Sequence, residues 1–142
     1  MVRQTSSRAQ ALRILHVDDH PANRRLVRDV LLAFGHDPID ASSGAEALAE
    51  LVRRPFDVVL MDINMPGMSG IEVVRRLRAA AGPERRTPVI ALTSEFDRTP
   101  EDYLALGFNG FVAKPFAISC LAEAIQIHGV ASRSPTLSRK VS

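Results

Sequence analysis

The chain has 142 residues, 46% of them hydrophobic and 24% charged, with a formal net charge of +2. That balance fits one globular domain with a single core, and no apolar run approaches the roughly 20 residues that cross a bilayer. A lone cysteine, Cys120, excludes an internal disulfide, and the Arg-bearing, Ser-rich start has no signal-peptide core, so the expected compartment is the cytoplasm.

Residues 1–12 are polar, carry Arg3 and Arg8 without an acid, and are read as a flexible extension. The run Ile14-Leu15-His16-Val17 is too short for a buried helix and predicts a strand. Pro21 suits a first helical position, and Leu26, Val27, Val30, Leu31 and Phe34 form an apolar stripe that ends at Gly35. Pro38-Ile39-Asp40-Ala41 suits an edge strand, where a proline is tolerated. Ser43 with Glu46 and Ser69 with Glu72 have capping-box spacing, which predicts helices over 44–53 and 70–81. Val58-Val59-Leu60-Met61 and Val89-Ile90-Ala91-Leu92 are further strands. Thr99-Pro100-Glu101-Asp102 opens a short helix that Gly107 can end, and Phe111-Val112-Ala113 is the fifth strand. Ile118, Leu121 and Ile125 mark a last amphipathic helix, with Cys120 read as a small buried hydrophobe. Residues 129–142 show no apolar period and are read as a flexible basic tail, leaving 13–128 as the folded unit.

The positive charge belongs to the ends. Residues 1–13 and 129–142 each carry +3, whereas 14–128 set 12 basic residues against all 16 acids, a net of −4. A nucleic-acid-binding core concentrates positive charge on its folded surface. This one is acidic, with no Trp and one Tyr, and is read as binding neither DNA nor RNA.

Five strands alternating with five helices predict an α/β fold with a parallel sheet covered on both faces. Right-handed crossovers put every strand's C-terminal end along one edge, where ligands bind in such sheets. The first strand is followed there by Asp18-Asp19, the third by Asp62, the fourth by Thr93-Ser94 and the fifth by Lys114-Pro115. Three converging carboxylates repel one another by an amount on the order of 4 kcal/mol per pair at about 4 Å and an effective dielectric of 20. They must protonate or hold a cation. Oxygen ligands favour Mg²⁺, with Mn²⁺ as a substitute, and no Cys/His spacing suits zinc. A cation beside a lysine receives phosphoryl oxygens, a carboxylate can act as nucleophile, and the Thr93 hydroxyl can bond a phosphoryl oxygen. Neither GxxxxGK[ST] nor GxGxxG occurs, which argues against nucleotide binding.

With these motifs in order the chain resembles a response-regulator receiver domain, the phosphoacceptor module of two-component signalling. Leu15-His-Val-Asp-Asp19, Val58 through Gly70, Val89-Ile-Ala-Leu-Thr93 and Gly110-Phe-Val-Ala-Lys-Pro-Phe116 carry the likeness. The intervals are 43 residues from Asp19 to Asp62, 31 from Asp62 to Thr93 and 21 from Thr93 to Lys114. The resemblance implies a flavodoxin-like (βα)5 fold with strand order 2-1-3-4-5. It implies that Asp62 is phosphorylated from a phosphohistidine on a histidine kinase or phosphotransfer protein. Asp19 and Asp62 are then direct Mg²⁺ ligands, with the Asn64 backbone carbonyl, and Asp18 acts mostly through water. Lys114 pairs with Asp62, and the Lys114–Pro115 peptide is cis.

Phe111 occupies the position of the family's switch aromatic, and with the 99–106 helix it is read as the element that turns phosphorylation into a new protein-binding surface. Asn64 and Glu95 are expected to tune the phosphoryl lifetime. Arg24, Arg25 and Arg28 form a polar helix face that could also dock a kinase. His16 is read as a core residue, His20 has no assigned role, and His36 and His128 are read as loop or helix-end residues. Met65 and Met68 cover the site or meet a partner.

The leading expectation is a signalling switch that catalyses only its own phosphorylation and dephosphorylation. The short stretch after the last helix leaves no room for a DNA-binding output domain, so output is expected through a downstream protein, as a monomer or phosphorylation-dependent dimer. Alternatives are a receiver from a hybrid sensor kinase and an aspartyl-nucleophile Mg²⁺ phosphatase. The latter carries Asp-x-Asp after its first strand, unlike the adjacent pair here.

Overall fold

The computed structural model describes residues 11–94 and 97–132. Five strands, β1 (Arg13–Val17), β2 (Asp37–Ala41), β3 (Val58–Asp62), β4 (Val89–Thr93) and β5 (Gly110–Ala113), form one parallel sheet in the order β2-β1-β3-β4-β5. Five helices, α1 (Pro21–Ala33), α2 (Gly44–Arg53), α3 (Gly70–Arg78), α4 (Pro100–Leu106) and α5 (Ile118–Ser132), connect and follow the strands, with a 3-10 turn at Pro83–Arg86. The architecture and strand order are those expected.

Strand alternation divides the core in two. Val59 and Met61 of β3 pack with Leu15, Val17 and Ala91 beneath α2, α3 and α4, where Ala47, Leu51, Val73, Val74, Leu77 and Tyr103 meet them. Val58 and Leu60 pack on the other face with Ile14, Ile90, Leu92 and Val112 beneath α1 and α5, against Val27, Leu31, Leu121 and Ile125. Both faces of β3 and β4 are buried throughout, as central parallel strands require. Pro38 lies in β2, at the sheet edge.

The helix starts follow the sequence signals with one refinement. Ser43 and Ser69 accept from the Glu46 and Glu72 amides, but only Thr99 and Asp102 close the reciprocal box. Glu46 instead binds Ser42, and Glu72 turns to Arg75 and Arg76. Helix α3 stops at Arg78, short of residue 81. The Arg78 guanidinium is engaged beyond the helix end by the carbonyls of Gly107, Arg85 and Thr87 and by the Asn109 side chain, tying α3 to the end of α4 and the start of β4.

The structure revises four further sequence expectations. Leu12 is core rather than extension: it is buried, and its amide donates to His36 Nδ1 at 3.1 Å. Helix α5 runs to Ser132, so residues 129–132 are helical rather than tail. Gly129 carries no side chain where the helix presses on Leu12 and Val58, and a Cβ there would collide with Leu12. Of the α1 stripe, Val27 and Leu31 are buried while Leu26 and Phe34 are exposed. Cys120 is exposed, because α5 turns Leu121 and Ile125 toward the sheet instead. Residues 1–10 and 133–142 lie outside the described residues, as does Glu95.

Candidate functional site

Parallel strands deliver the predicted residues to one edge. Asp62 is the last residue of β3 and pairs in register with Leu92, and Thr93 ends β4 opposite Ala113. The Lys114 amide, one residue further, donates to the Thr93 carbonyl at 2.7 Å, so the lysine's backbone is set by the neighbouring strand. The peptide that follows, Lys114–Pro115, is cis. Asp18 leaves β1 with its amide donating to the Ala41 carbonyl at 3.1 Å.

Asp62 is buried, at 4% exposure, and its Oδ1 lies 3.1 Å from the Lys114 ammonium. Burial pushes its carboxyl above the usual carboxylate range. The Lys114 hydrogen bond and charge oppose that rise, Asp18 reinforces it, and a hydrogen bond from the Asn64 backbone opposes it. Asn64 thus reaches Asp62 through its main chain, while its side chain is exposed. Thr93 is buried at the same edge.

The carboxylates do not gather symmetrically. Donor atoms of Asp18, Asp19 and His20 lie within 4.8 Å of one another, whereas Asp62 is held by Lys114. Asp62 has turned to Lys114 and Asp18 accepts the His20 amide, which eases part of the repulsion expected of three bare carboxylates. His20, given no role from sequence, places Nδ1 3.2 Å from Asp19 Oδ1 and 3.6 Å from Asp18 Oδ1. Asp18 Oδ1 accepts the His20 amide at 2.9 Å. Asp19 Oδ1 is shielded from solvent yet has no hydrogen bond among the described residues. Such an orphaned anionic oxygen, next to a second carboxylate, fits a hard divalent cation.

The surroundings add features that sequence patterns missed. Gly70, at the start of α3, stands so close to the Asp62 carbonyl that a Cβ would collide with it, and its amide donates to Ile63 O at 2.9 Å. The Gly70 signal lay in the Gly-Met-Ser-Gly stretch after Asp62. Met65 is buried in the core, and Met68 packs against it, so both anchor this loop. Phe111 is half-buried with its ring stacked on Tyr103, centroids 5.3 Å apart, and Tyr103 meets Phe108 edge-on. The Tyr103 hydroxyl is buried without a hydrogen bond among the described residues.

His16 is core, as expected; burial holds its pKa down near 4, against the pull of Asp18. His36 accepts a hydrogen bond in its loop, and His128 lies on α5 against Gly110. On α1, Arg25 is exposed, Arg28 pairs with Asp40 at 3.7 Å, and Arg24 turns inward to the Asp18 carbonyl.

The chain belongs to the response regulator receiver domain family, which matches residues 14–126, and it is therefore a receiver of two-component signalling. It is 32% identical over 131 residues to the sensory/regulatory protein RpfC of Xanthomonas campestris pv. campestris, a match covering 89% of this chain and 18% of that protein. It is 37% identical over 114 residues to the chemotaxis protein CheY-3 of Vibrio cholerae serotype O1, covering 79% of this chain and 87% of that one. The receiver domain of the sensor histidine kinase PA1611 from Pseudomonas aeruginosa PAO1 superposes with a TM-score of 0.76 at 31% identity, over 84% of this chain and 98% of that domain. That neighbour holds a magnesium ion coordinated in its active site cleft. Histidine kinases and downstream targets are the partners of receiver domains in such systems. Among the described residues no helix is long and apolar enough to cross a membrane.

Proposed function

We propose that Asp62 accepts a phosphoryl group from a phosphohistidine of a histidine kinase or phosphotransfer protein and that this switches a protein-binding surface. The observation that carries the reading is the buried Asp62 carboxylate paired at 3.1 Å with Lys114, beside the Asp18–Asp19 pair. An Asp62 oxygen attacks phosphorus and forms an O–P bond as the N–P bond breaks; the departing imidazole keeps the electron pair and takes a proton. Lys114 then exchanges its carboxylate contact for a phosphoryl oxygen, and the Thr93 hydroxyl binds another. Mg²⁺, or Mn²⁺ in its place, held by Asp19, Asp62 and the Asn64 carbonyl with Asp18 acting through water, would neutralise charge on the phosphoryl oxygens. Hydrolysis of the acyl phosphate resets Asp62, so the protein turns over only itself, in the cytoplasm.

The switch element is Phe111 with α4, which the Tyr103 stack already couples. A second reading makes the same chemistry one station of a longer hybrid sensor kinase. It is favoured by the match to RpfC, of which this chain spans 18%. The length of the native product separates the two.

The test is the intact mass of wild type and Asp62→Asn after incubation with Mg²⁺ and a small acyl-phosphate donor. A phosphoryl adduct on the wild type alone, abolished by a chelator added before the donor, is the expected result. An adduct on Asp62→Asn, or steady phosphate release from a general phosphate ester, overturns it.

A further inference from the structure

The turn from β1 into α1 lacks the usual fastening. His20 stands at the N-cap of α1 but its side chain makes no capping hydrogen bond, and the first turn has no acidic residue. Something else must fix the peptide between Asp18 and Asp19, because its rotation decides where two neighbouring like charges point.

The Asp18 amide is bound to the β2 end, at Ala41 O, and its Oδ1 accepts the His20 amide. The carbonyl is the remaining main-chain polar group of that residue, and it accepts Arg24 Nη1 at 2.6 Å. Arg24 is placed for this by the helix itself, its amide donating to His20 O at 3.1 Å, so the side chain returns over the first turn. The same guanidinium also acts on Asp40, whose carboxyl burial raises, and on Glu46, whose carboxyl the Ser42 hydrogen bonds lower, in each case as a smaller downward pull.

We infer that Arg24 is a positioning residue for the cation site: by holding the Asp18 carbonyl it orients the Asp18–Asp19 peptide so that both carboxylates converge. The inference rests on the cation site of the proposed function. It predicts an effect opposite in sign to simple electrostatics. A positive charge near a cation site repels the ion, so removing it should tighten binding by a few-fold. Loss of an orienting partner instead weakens metal affinity, by roughly 10- to 100-fold where such partners have been removed.

The experiment titrates Mn²⁺ into the full chain and counts free ion by electron paramagnetic resonance, for wild type, Arg24→Gln, Arg24→Met and Arg25→Gln. Arg25 is an exposed neighbour on α1, so its variant removes an equal charge without the hydrogen bond. Melting of each protein without metal reports the fold separately. The expected result is Mn²⁺ affinity about tenfold or more weaker in both Arg24 variants. Metal-free melting should stay near wild type, and Arg25→Gln should bind unchanged or tighter. Wild-type binding together with equal or tighter binding by a folded Arg24 variant overturns the inference and leaves the cation site standing. A wild type that binds no Mn²⁺ removes the cation site and this inference together.

Discussion

Lys114 and Asp62 form a buried-side ion pair in which the carboxylate, not the ammonium, bears the burial: the Asp62 side chain is 6% exposed and that of Lys114 is 26%. Because burial raises the Asp62 carboxyl pKa despite the lysine, its ionised form costs folding stability at neutral pH. Asp62→Asn is therefore expected to raise the metal-free urea midpoint at pH 7, with the gain shrinking as the pH falls through the raised folded-state value. A midpoint lower than wild type at pH 7 contradicts this account of the pair.

Metal linkage gives a second check. A cation that binds only the folded chain stabilises it by about 2.7 kcal/mol at 100 times its dissociation constant. Mg²⁺ should accordingly raise the melting temperature of wild type by several degrees and leave Asp19→Asn almost unmoved, since Asp19 supplies the orphaned oxygen. Differential scanning calorimetry at fixed ionic strength measures both.

His16 contributes to the acid limb, beside His36 and His128, whose pKa values burial also lowers. Its pKa is 6.5 in an unfolded chain and about 4 in the fold, lowered mainly by burial. Above pH 6.5 it is neutral in both states and adds no slope. Between 6.5 and 4 the unfolded chain takes a proton that the fold refuses, so stability declines as pH falls, by up to about 3 kcal/mol in all. His16→Val should flatten that part of a stability–pH profile followed by urea unfolding.

At Gly70 a methyl group has nowhere to go. Gly70→Ala must push α3 away from the Asp62 backbone, at a cost of about 2 kcal/mol typical of overpacking. It should also slow phosphorylation by the small donor, measured as initial adduct rate. Ser69→Ala, which removes only the cap contact to the Glu72 amide, should cost about 1 kcal/mol and leave that rate nearly unchanged.

Phe111→Ala removes the ring stacked on Tyr103 and should destabilise the chain by about 2 kcal/mol, less than a fully buried phenylalanine. Its phosphorylation yield should stay close to wild type while the phosphorylation-dependent gain in affinity for a downstream protein is lost. Unaltered switching in this variant would falsify the role given to Phe111.

Much of this was legible because parallel sheets advertise themselves. Short β-rich runs such as Val58–Met61 ended in a charged residue, and topology alone assembles those ends. What escaped depended on contacts between distant residues. Leu12 looked like part of a polar extension because its hydrogen bond is with His36, 24 residues away. Gly129 fell in a stretch without apolar period, and only the proximity of Leu12 and Val58 shows what a missing side chain does there. Arg24 belonged, by periodicity, to a solvated face; its long side chain folds back across one turn, which no periodicity reveals. The sequence puts Asp18, Asp19 and Asp62 at strand ends along one edge, and the resemblance already pairs Lys114 with Asp62; that His20 faces Asp18 and Asp19 is a matter of side-chain geometry.

The contact of Gly129 with Leu12 and Val58 has a consequence for how such a unit fits into larger proteins. It clasps the two outer ends of the folded body together at the foot of the sheet, on the side away from Asp62 and Lys114. The residues just before β1 and the last turns of α5 therefore lie side by side on that far side. A module wired this way can be inserted in the middle of a long chain, or stand by itself, with its reactive face equally open to visitors in either setting.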